Sequence, residues 1–422
     1  MALTLPNLRA LRAFIAIATG GSVSAAARAL HVSQPAVTQA IASLENDLGV
    51  SLFARSSGGM TTTAEGHVMV ARARRLFEQL TVGLQETAVA RDGPLQVIDG
   101  DPFRSVTVAQ LTALVAVDDA GSFAAAARAL QISRAALHRA ARSFERSAQA
   151  VLFEHTSFGV RPTRQAAELA RRIRLASAEY AQAREEIGAH TNPGRGRTVI
   201  GAMPLARSWL VPHAVLGFSA LWPDHAVSIL EGAYEALLDA LRHGRADLLV
   251  GALRDPAPAS DVVQQPLFED PLAIVLRSAH PLARRRRATS RELASFPWIV
   301  GREGSPLRRR FVELFAGRGV NPPPNPIECN SLAAARELLM GSDRMMLASA
   351  QQVRRELETG LLALLPHPHG TVTRSIGLTV RRDWQPTERQ RVLLDLLRTI
   401  AETSNVTARG NAPRTVRRKS QR

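Results

Sequence analysis

The sequence predicts a multidomain protein of mixed α and α/β class. Two tandem winged helix-turn-helix domains with linker helices precede a two-lobed α/β domain. The first observation is an internal repeat, because GSVSAAARALHVSQPAVTQAI at residues 21–41 returns as GSFAAAARALQISRAALHRAA at residues 121–141. A period of 100 residues that runs without a gap indicates a duplicated domain rather than a solenoid. The second observation is that helical spacing gives way near residue 196 to strands alternating with helices, as in a largely parallel sheet.

Composition narrows the class of partner. The 422 residues carry a net charge of +16, which favours a polyanion, with nucleic acid ahead of a membrane. The single cysteine, Cys329, excludes a disulfide framework. We find no Walker loop, G-x-S-x-G elbow, nucleophile–base set or metal-ligand cluster, and therefore expect no enzyme, no cofactor and no metal site. Without an export signal or a long apolar segment, we expect a cytoplasmic protein with no membrane partner.

The first copy, residues 6–63, has the pattern of three helices and a wing. Apolar residues at spacings of three and four give the buried helix faces. Ser22 and Ser33 are suitable N-caps for the second and third helices, and Pro35 fits the first turn of the third. Gly49 is suited to a left-handed helix stop. Two short strands around a Ser-Gly-Gly turn complete a winged helix-turn-helix.

The outward face of the third helix points to DNA. Gln34, Thr38 and Gln39 carry uncharged amide and hydroxyl groups that bond base edges in a major groove. Arg55 in the wing is suited to a phosphate. A solvated helix face is the alternative, and the co-occurrence of tight turn, alanine-rich partner helix and wing disfavours it.

The run VSQPAVTQAIASLENDLGVSLFAR, within residues 8–55, resembles the N-terminal DNA-binding domain of LysR-type transcriptional regulators. The resemblance implies a regulator that binds double-stranded promoter DNA and is modulated by a small-molecule effector. It places the helix-turn-helix at residues 22–41. The residues assigned to DNA are Ser22, Ser33, Gln34, Pro35, Ala36, Thr38, Gln39 and Arg55. Alternatives are an architectural or non-specific DNA-binding protein and, less favoured, a solute-binding protein.

Each copy is followed by a predicted linker helix, at residues 64–92 and 164–190. Their apolar residues recur in threes and fours, the spacing of a coiled-coil seam. The first seam is Val70, Ala73, Phe77, Leu80 and Leu84, and the cleaner second seam is Leu169, Ile173, Ala176, Tyr180, Ala183 and Ile187. The resemblance implies pairing of such helices between subunits, so we expect a homodimer or homotetramer, mainly through the second helix. Packing against its own domain is the alternative for the first helix.

The second copy, residues 104–163, keeps the inward face and changes the outward one. The outward face comprises Ser133, which repeats Ser33, and the changed residues Arg134, His138, Arg139 and Arg142. Either this copy still binds DNA, with more phosphate and guanine character, or it has become a spacer or dimerisation module, which we favour slightly. Gln149 replaces Gly49, at a cost of about 1 kcal/mol if the site needs a left-handed backbone.

Residues 197–403 have the α/β pattern, and their motif order is similar to the LysR-type effector-binding domain, which shares the periplasmic-binding-protein architecture. Ligands of open α/β sheets lie at the carboxyl ends of strands, near helix N-termini. This rule selects Met203, Pro204, Leu205, Arg254, Gly301, Arg302, Ser305, Asn330 and Ser331. Since helix N-termini and arginines attract anions, we expect a small organic anion, such as a carboxylate. The basic tail, residues 404–422, is predicted to be disordered, and either adds DNA affinity or is inert.

Overall fold

The computed structural model describes residues 3–56, 59–89, 102–157, 159–191, 196–316 and 319–410. They fall into two compact units. The first unit contains both N-terminal copies with their linker helices, and the second contains most of the α/β part of the chain.

The first copy forms three helices, a two-stranded wing and a long helix. Ser22 and Ser33 accept hydrogen bonds from the backbone N–H groups of Ala25 and Ala36, so both serve as the predicted N-caps. Gly49 ends the third helix with φ of 71°. The elements are α1 (Leu8–Gly20), α2 (Val23–Leu30), α3 (Gln34–Leu48), β1 (Phe53–Ser56), β2 (Gly59–Thr62) and α4 (Ala64–Val89).

The second copy repeats this order at almost the same positions plus 100. A short 3-10 turn at Pro102–Arg104 precedes it. Gln149 occupies the left-handed region with φ of 50°, so this site does need a left-handed backbone. A residue with a side chain therefore costs roughly 1 kcal/mol here relative to glycine. The elements are α5 (Val108–Ala120), α6 (Phe123–Ala129), α7 (Arg134–Ala148), β3 (Phe153–Thr156), β4 (Gly159–Pro162) and α8 (Arg164–Thr191).

The two linker helices, α4 and α8, pack antiparallel on each other within the chain. Arg72, near the start of α4, bonds to Glu186 near the end of α8, whereas Gly83, late in α4, lies against Leu169 early in α8. The residues buried along this interface include Met69, Ala73, Leu76, Leu80, Leu84, Leu169, Ile173, Ala176, Tyr180, Ala183 and Ile187. Within this chain each seam is covered by the other, a contact that the resemblance, which implies pairing between subunits, did not lead us to expect.

The predicted α4 seam is also shifted in detail. Val70 and Phe77 are only half-buried, whereas Met69 and Leu76 are fully buried. The second predicted seam is buried throughout. The duplicated chain supplies both partners of the helix pair, which a spacing pattern in either helix alone does not reveal.

The chain beyond residue 195 is a mixed sheet flanked by helices. Ala206–Leu210 is a π-helical turn that runs directly into α9, at Pro212, whose missing N–H interrupts regular α-helical bonding. The helices are α9 (Val211–Leu221), α10 (Tyr234–Arg242), α11 (Ser290–Ala294), α12 (Pro306–Glu313), α13 (Leu332–Met340), α14 (Arg354–Glu358) and α15 (Glu388–Gly410), with a 3-10 turn at Ala350–Val353.

The strands form one sheet in the order β10-β9-β11-β8-β13-β7-β5-β6, with β12 also paired to β8. They are β5 (Gly196–Ala202), β6 (His225–Leu230), β7 (Leu248–Ala252), β8 (Val262–Arg277), β9 (Trp298–Val300), β10 (Ile327–Glu328), β11 (Met345–Ser349), β12 (Leu362–Leu365) and β13 (Val372–Arg381). Separate apolar cores pack against its two halves.

The centre of this sheet is antiparallel, which corrects the largely parallel sheet predicted from the helix–strand alternation. β8 runs antiparallel to β11, β12 and β13, and β13 runs antiparallel to β7. The segments 253–261 and 366–371, which lead into β8 and β13, are too short for a crossover helix. The long β8–β13 pair therefore joins the two halves of the sheet.

The C-terminal helix corrects our prediction of a disordered tail from residue 404. α15 continues to Gly410, because no proline or glycine interrupts residues 388–409. The remainder of the predicted tail, residues 411–422, lies outside the described residues.

Candidate functional site

The start of α3 presents a continuous exposed polar face. Ser33, Gln34, Pro35, Ala36, Thr38 and Gln39 are all exposed, while Val37 between them is buried in the core. The side-chain hydroxyl of Thr38 donates to the carbonyl oxygen of Gln34 at 3.1 Å, which leaves its lone pairs for an outside donor. The arrangement brings two amides and two hydroxyls together at one helix end, where they are suited to base edges.

The other predicted DNA residues of the first copy have different positions. Ser22 is half-buried, and its hydroxyl accepts from the N–H of Ala25 at 3.1 Å, so its main contact is within the helix-turn-helix. Arg55 lies in β1, opposite Met60 of β2, which places its backbone in the wing.

The corresponding face of α7 is exposed and basic. Arg134 and Arg139 are exposed, as is Ser133, which caps α7. Stacking on Phe123, with ring centroids 4.2 Å apart, holds the His138 ring in place. An open concavity runs beside α7, and its lining includes His138, Arg139, Arg142 and Arg146.

Arg142 is less available as a cation than the other two arginines of this face. Its guanidinium donates to Glu145 at 2.8 Å. Glu145 also accepts from the backbone N–H groups of Leu152 and Phe153, at 3.0 and 3.2 Å, as Glu45 does in the first copy for Leu52 and Phe53. This glutamate therefore ties the third helix to the wing in both copies, and the second copy adds Arg142 to it where the first copy has Ala42.

Several predicted effector residues form a polar chain at the strand ends. The guanidinium of Arg254, after β7, lies 4.2 Å from the ring centre of Tyr234 at the start of α10. The next residue, Glu235, accepts a hydrogen bond from Arg302 at 2.7 Å. Arg302 in turn donates its backbone N–H to the side-chain oxygen of Asn330 at 3.2 Å. The chain thus connects residues from both halves of the sheet.

Electrostatics distinguish the two arginines. Burial lowers the pKa of the half-buried Arg254, as expected for a partly dehydrated cation. The N-terminal backbone of α10 and the hydrogen bond from Arg302 lower the pKa of Glu235, so this carboxylate stays charged beside Arg302. Burial raises the pKa of Tyr234. Arg302 therefore bonds directly to the Glu235 carboxylate, whereas Arg254 lies over the Tyr234 ring and experiences the charge of Glu235.

The other predicted effector residues make packing or capping contacts within the domain. Leu205 is buried, and the side chain of Met203 packs so closely over Gly251 that a Cβ there would lie 2.5 Å from it. Pro204 lies between Met203 and Leu205 in sequence. Ser305 and Ser331 accept backbone N–H groups as the N-caps of α12 and α13. Gly301 leaves room for the hydroxyl of Ser305, which would lie 2.8 Å from an added Cβ.

Sequence reasoning missed Tyr234 and Glu235. They begin α10, which follows β6. The strand-end rule that selected Arg254 therefore also applies to these two residues. Within the described ranges, no group of three or more His, Cys, Asp or Glu side chains has a metal-binding arrangement. No described helix combines the length and apolar character required to cross a membrane.

The fold and the two sites define a class of DNA-binding proteins that couple helix-turn-helix domains to a ligand-binding α/β domain. Residues 8–67 and again 108–167 match the bacterial regulatory helix-turn-helix protein, lysR family, and residues 191–402 match the LysR substrate binding domain. The chain belongs to the LysR family. It is a transcriptional regulator with a duplicated helix-turn-helix and a domain for small-molecule effectors.

Two curated relatives align with most of the chain. The HTH-type transcriptional regulator GalR of Pseudomonas putida is 33% identical over 377 residues, covering 89% of this chain and 93% of that protein. An SDS degradation transcriptional activation protein of a Pseudomonas species is 29% identical over 379 residues, covering 89% and 90%. Among solved structures, CbnR, a LysR family transcriptional regulator, matches with a TM-score of 0.48 at 18% identity, covering 69% of this chain and 98% of that one.

Proposed function

We propose that Gln34, Thr38 and Gln39 read base edges of promoter DNA from the start of α3. The carrying observation is that these side chains are exposed together while the apolar residues between and behind them fix the helix in the core. Ser33 and Pro35 position the helix start, and Arg55 in the wing contacts a phosphate. Ser22 supports the turn, and Ala36, which is exposed in the first turn of α3, is suited to contact a thymine methyl.

Replacing both amides should weaken specific DNA binding. We expect Gln34→Ala with Gln39→Ala to lower affinity for a selected site at least about tenfold and to expose the bases that α3 covers, since bidentate base contacts each discriminate by about 1–3 kcal/mol. Footprinting at physiological salt with excess competitor DNA measures this. Asn46→Ala, which removes an exposed amide about two turns further along α3, is the matched control.

An unchanged footprint in the double variant would contradict base reading by α3. Equal affinity for the selected site and for competitor DNA would instead support an architectural or non-specific DNA-binding protein, the alternative that the charge of +16 favours. Such binding follows counterion release and falls steeply with salt.

We further propose that the effector is a small carboxylate held by Arg254. This guanidinium is half-buried, lies over the Tyr234 ring, and sits at a strand end near the start of α10. Its charge and the N-terminus of α10 would both stabilise a bound carboxylate there. Asn330 and the backbone of Gly301 and Arg302 line the facing strand ends. Ser305 and Ser331, as caps of α12 and α13, mark two further helix starts nearby in sequence.

A carboxylate panel tests the effector site on the intact protein. We expect at least one mono- or dicarboxylate to raise the melting temperature, with about 2.7 kcal/mol of stabilisation at 100 times its dissociation constant. Arg254→Gln should remove this shift, and Arg355→Gln, at an exposed position on α14, should not. A shift produced equally by the neutral amide of the same compound would rule out an anion site.

The domain division that we propose is 6–63 and 104–163 for the winged domains, 64–92 and 164–190 for the linkers, and 197–403 for the effector domain. Ligand binding then biases two arrangements of the regulator, and the coupling is reciprocal. We propose that any homodimer or homotetramer forms through surfaces other than the α4 and α8 seams, since each of these seams is covered by the other within the chain. DNA binding supports a cytoplasmic location.

A further inference from the structure

The contact between α4 and α8 has internal two-fold character. Arg72 on α4 bonds to Glu186 on α8 at 2.9 and 2.8 Å. Exchanging the two copies, which are 100 positions apart, converts this pair into Arg172 with Glu86, and that bond is also present, at 3.2 Å. One chain therefore builds the kind of interface that two identical chains build around a symmetry axis.

The exchange extends to the helix-turn-helix domains. The recognition helix of the first copy, α3, contacts α8, the linker helix of the second copy. Correspondingly, α7 of the second copy contacts α4 of the first. Both recognition helices are thus held by the same helix pair, in equivalent places.

The departures from symmetry favour pairing of α4 with α8 over pairing of like helices. Glu179 on α8 binds both Arg72 and Arg75, at 3.0 Å each. At the equivalent positions, α4 has Gln79 and α8 has Leu175, so two α8 helices would lack the second arginine and two α4 helices would lack the glutamate. The α4–α8 pair alone provides the full set of charges.

Packing gives the same preference. Gly83 on α4 lies against Leu169, and a Cβ at Gly83 would come within 2.8 Å of that side chain. The equivalent of Gly83 on α8 is Ala183, which has this Cβ. Two α8 helices in the same register would therefore have to separate or shift at the leucine.

We propose that a single chain is a complete DNA-reading unit that recognises two unlike half-sites in a fixed order. This inference rests on the proposed base reading by α3. The first half-site meets the amides of Gln34 and Gln39, which suit adenine, and the second meets Arg134 and Arg139, which suit guanine. No described residue pairs with either arginine, and both are exposed. The duplication thus assigns the second copy to DNA and gives the regulator a direction on its promoter.

The relative from Pseudomonas putida is consistent with a shared design. Its alignment leaves 11% of this chain unmatched. That unmatched length is shorter than one helix-turn-helix match, such as residues 8–67. Both copies must therefore take part in that alignment.

A mixing experiment with full-length variants tests the proposal. A binding site is selected with the intact protein and placed once on a short duplex. One variant carries Gln34→Ala with Gln39→Ala, and the other carries Arg134→Ala with Arg139→Ala. We expect each variant to bind at least about tenfold more weakly and to lose protection of a different half-site. A mixture of the two should bind no better than either alone, because no chain then has two intact recognition helices.

Three outcomes would overturn the proposal. Restored binding in the mixture means that α4 and α8 pair between chains. Unchanged binding by the arginine variant means that α7 does not read DNA. Loss of both half-sites at once in the amide variant, with none in the arginine variant, means that two α3 helices form the reading unit. Absence of any footprint with the intact protein would instead disprove the proposed DNA reading itself. The substituted side chains are exposed, so unchanged thermal unfolding of both variants excludes misfolding.

Discussion

Arg72→Leu is expected to destabilise the N-terminal unit by about 3 kcal/mol, because the partly buried Glu186 loses its arginine and the buried Glu179 loses one of two. The Arg72 side chain is only 6% exposed, and it contacts Glu179, Glu186 and the side-chain oxygen of Gln182. Glu179 keeps its bond to Arg75, so the loss lies at the lower end of the usual range for a broken buried pair. Burial acts to lower the pKa of Arg72, but the hydrogen bonds that Arg72 donates to Glu186 and Glu179, and the charges of these carboxylates, raise it overall.

This loss of unfolding free energy is measured by urea unfolding of the intact protein, monitored through a signal that reports on the helical N-terminal unit. Arg74→Leu provides the control, since Arg74 is exposed on the same helix and the same substitution there should change stability by less than about 0.5 kcal/mol. Arg72→Leu should also weaken specific DNA binding, because α3 and α7 are both held by the α4–α8 pair. Equal stability of the two variants would show that the buried charges do not hold α4 against α8.

Local signals in the N-terminal half were sufficient to predict its elements. Ser22, Ser33 and Pro35 mark helix starts, Gly49 marks a stop, and the second copy repeats the two serine caps. These residues act within one or two turns of their own position, so their effect is visible in sequence. The inward and outward faces of α3 and α7 follow from the same periodicity.

The partner of each linker helix was not predictable in the same way. A seam such as Leu169 to Ile187 shows that a helix buries one side, but not against which helix. The choice depends on Gly83 and on charges such as Arg72 and Glu186, which are 114 positions apart and matter only once the helices meet. Similarly, the contact of Arg254 with Tyr234 depends on two strand ends that tertiary structure brings together.

Asp270→Ala is expected to destabilise the C-terminal unit by about 3 kcal/mol. Asp270 is 1% exposed in the middle of β8, directly opposite Arg374 of β13. Its carboxylate accepts hydrogen bonds from Arg374 at 2.8 Å and from the hydroxyl of Ser349 at 2.5 Å. Among the described residues, removing it leaves the largely buried guanidinium with Gln352 as its remaining partner, and breaking a buried pair from one side is strongly destabilising.

The position of this pair makes the prediction relevant to effector binding. β8 and β13 join the two halves of the sheet, and the strand ends that carry Arg254 and Arg302 belong to different halves. Asp395→Ala, which breaks the exposed pair with Arg398, should change stability by no more than about 0.5 kcal/mol and is the control. In Asp270→Ala, we expect the unfolding transition of the C-terminal unit to move to lower urea and the stabilisation by a bound carboxylate to fall. A transition identical to that of the control would show that the crossing strands hold the halves together without this buried ion pair.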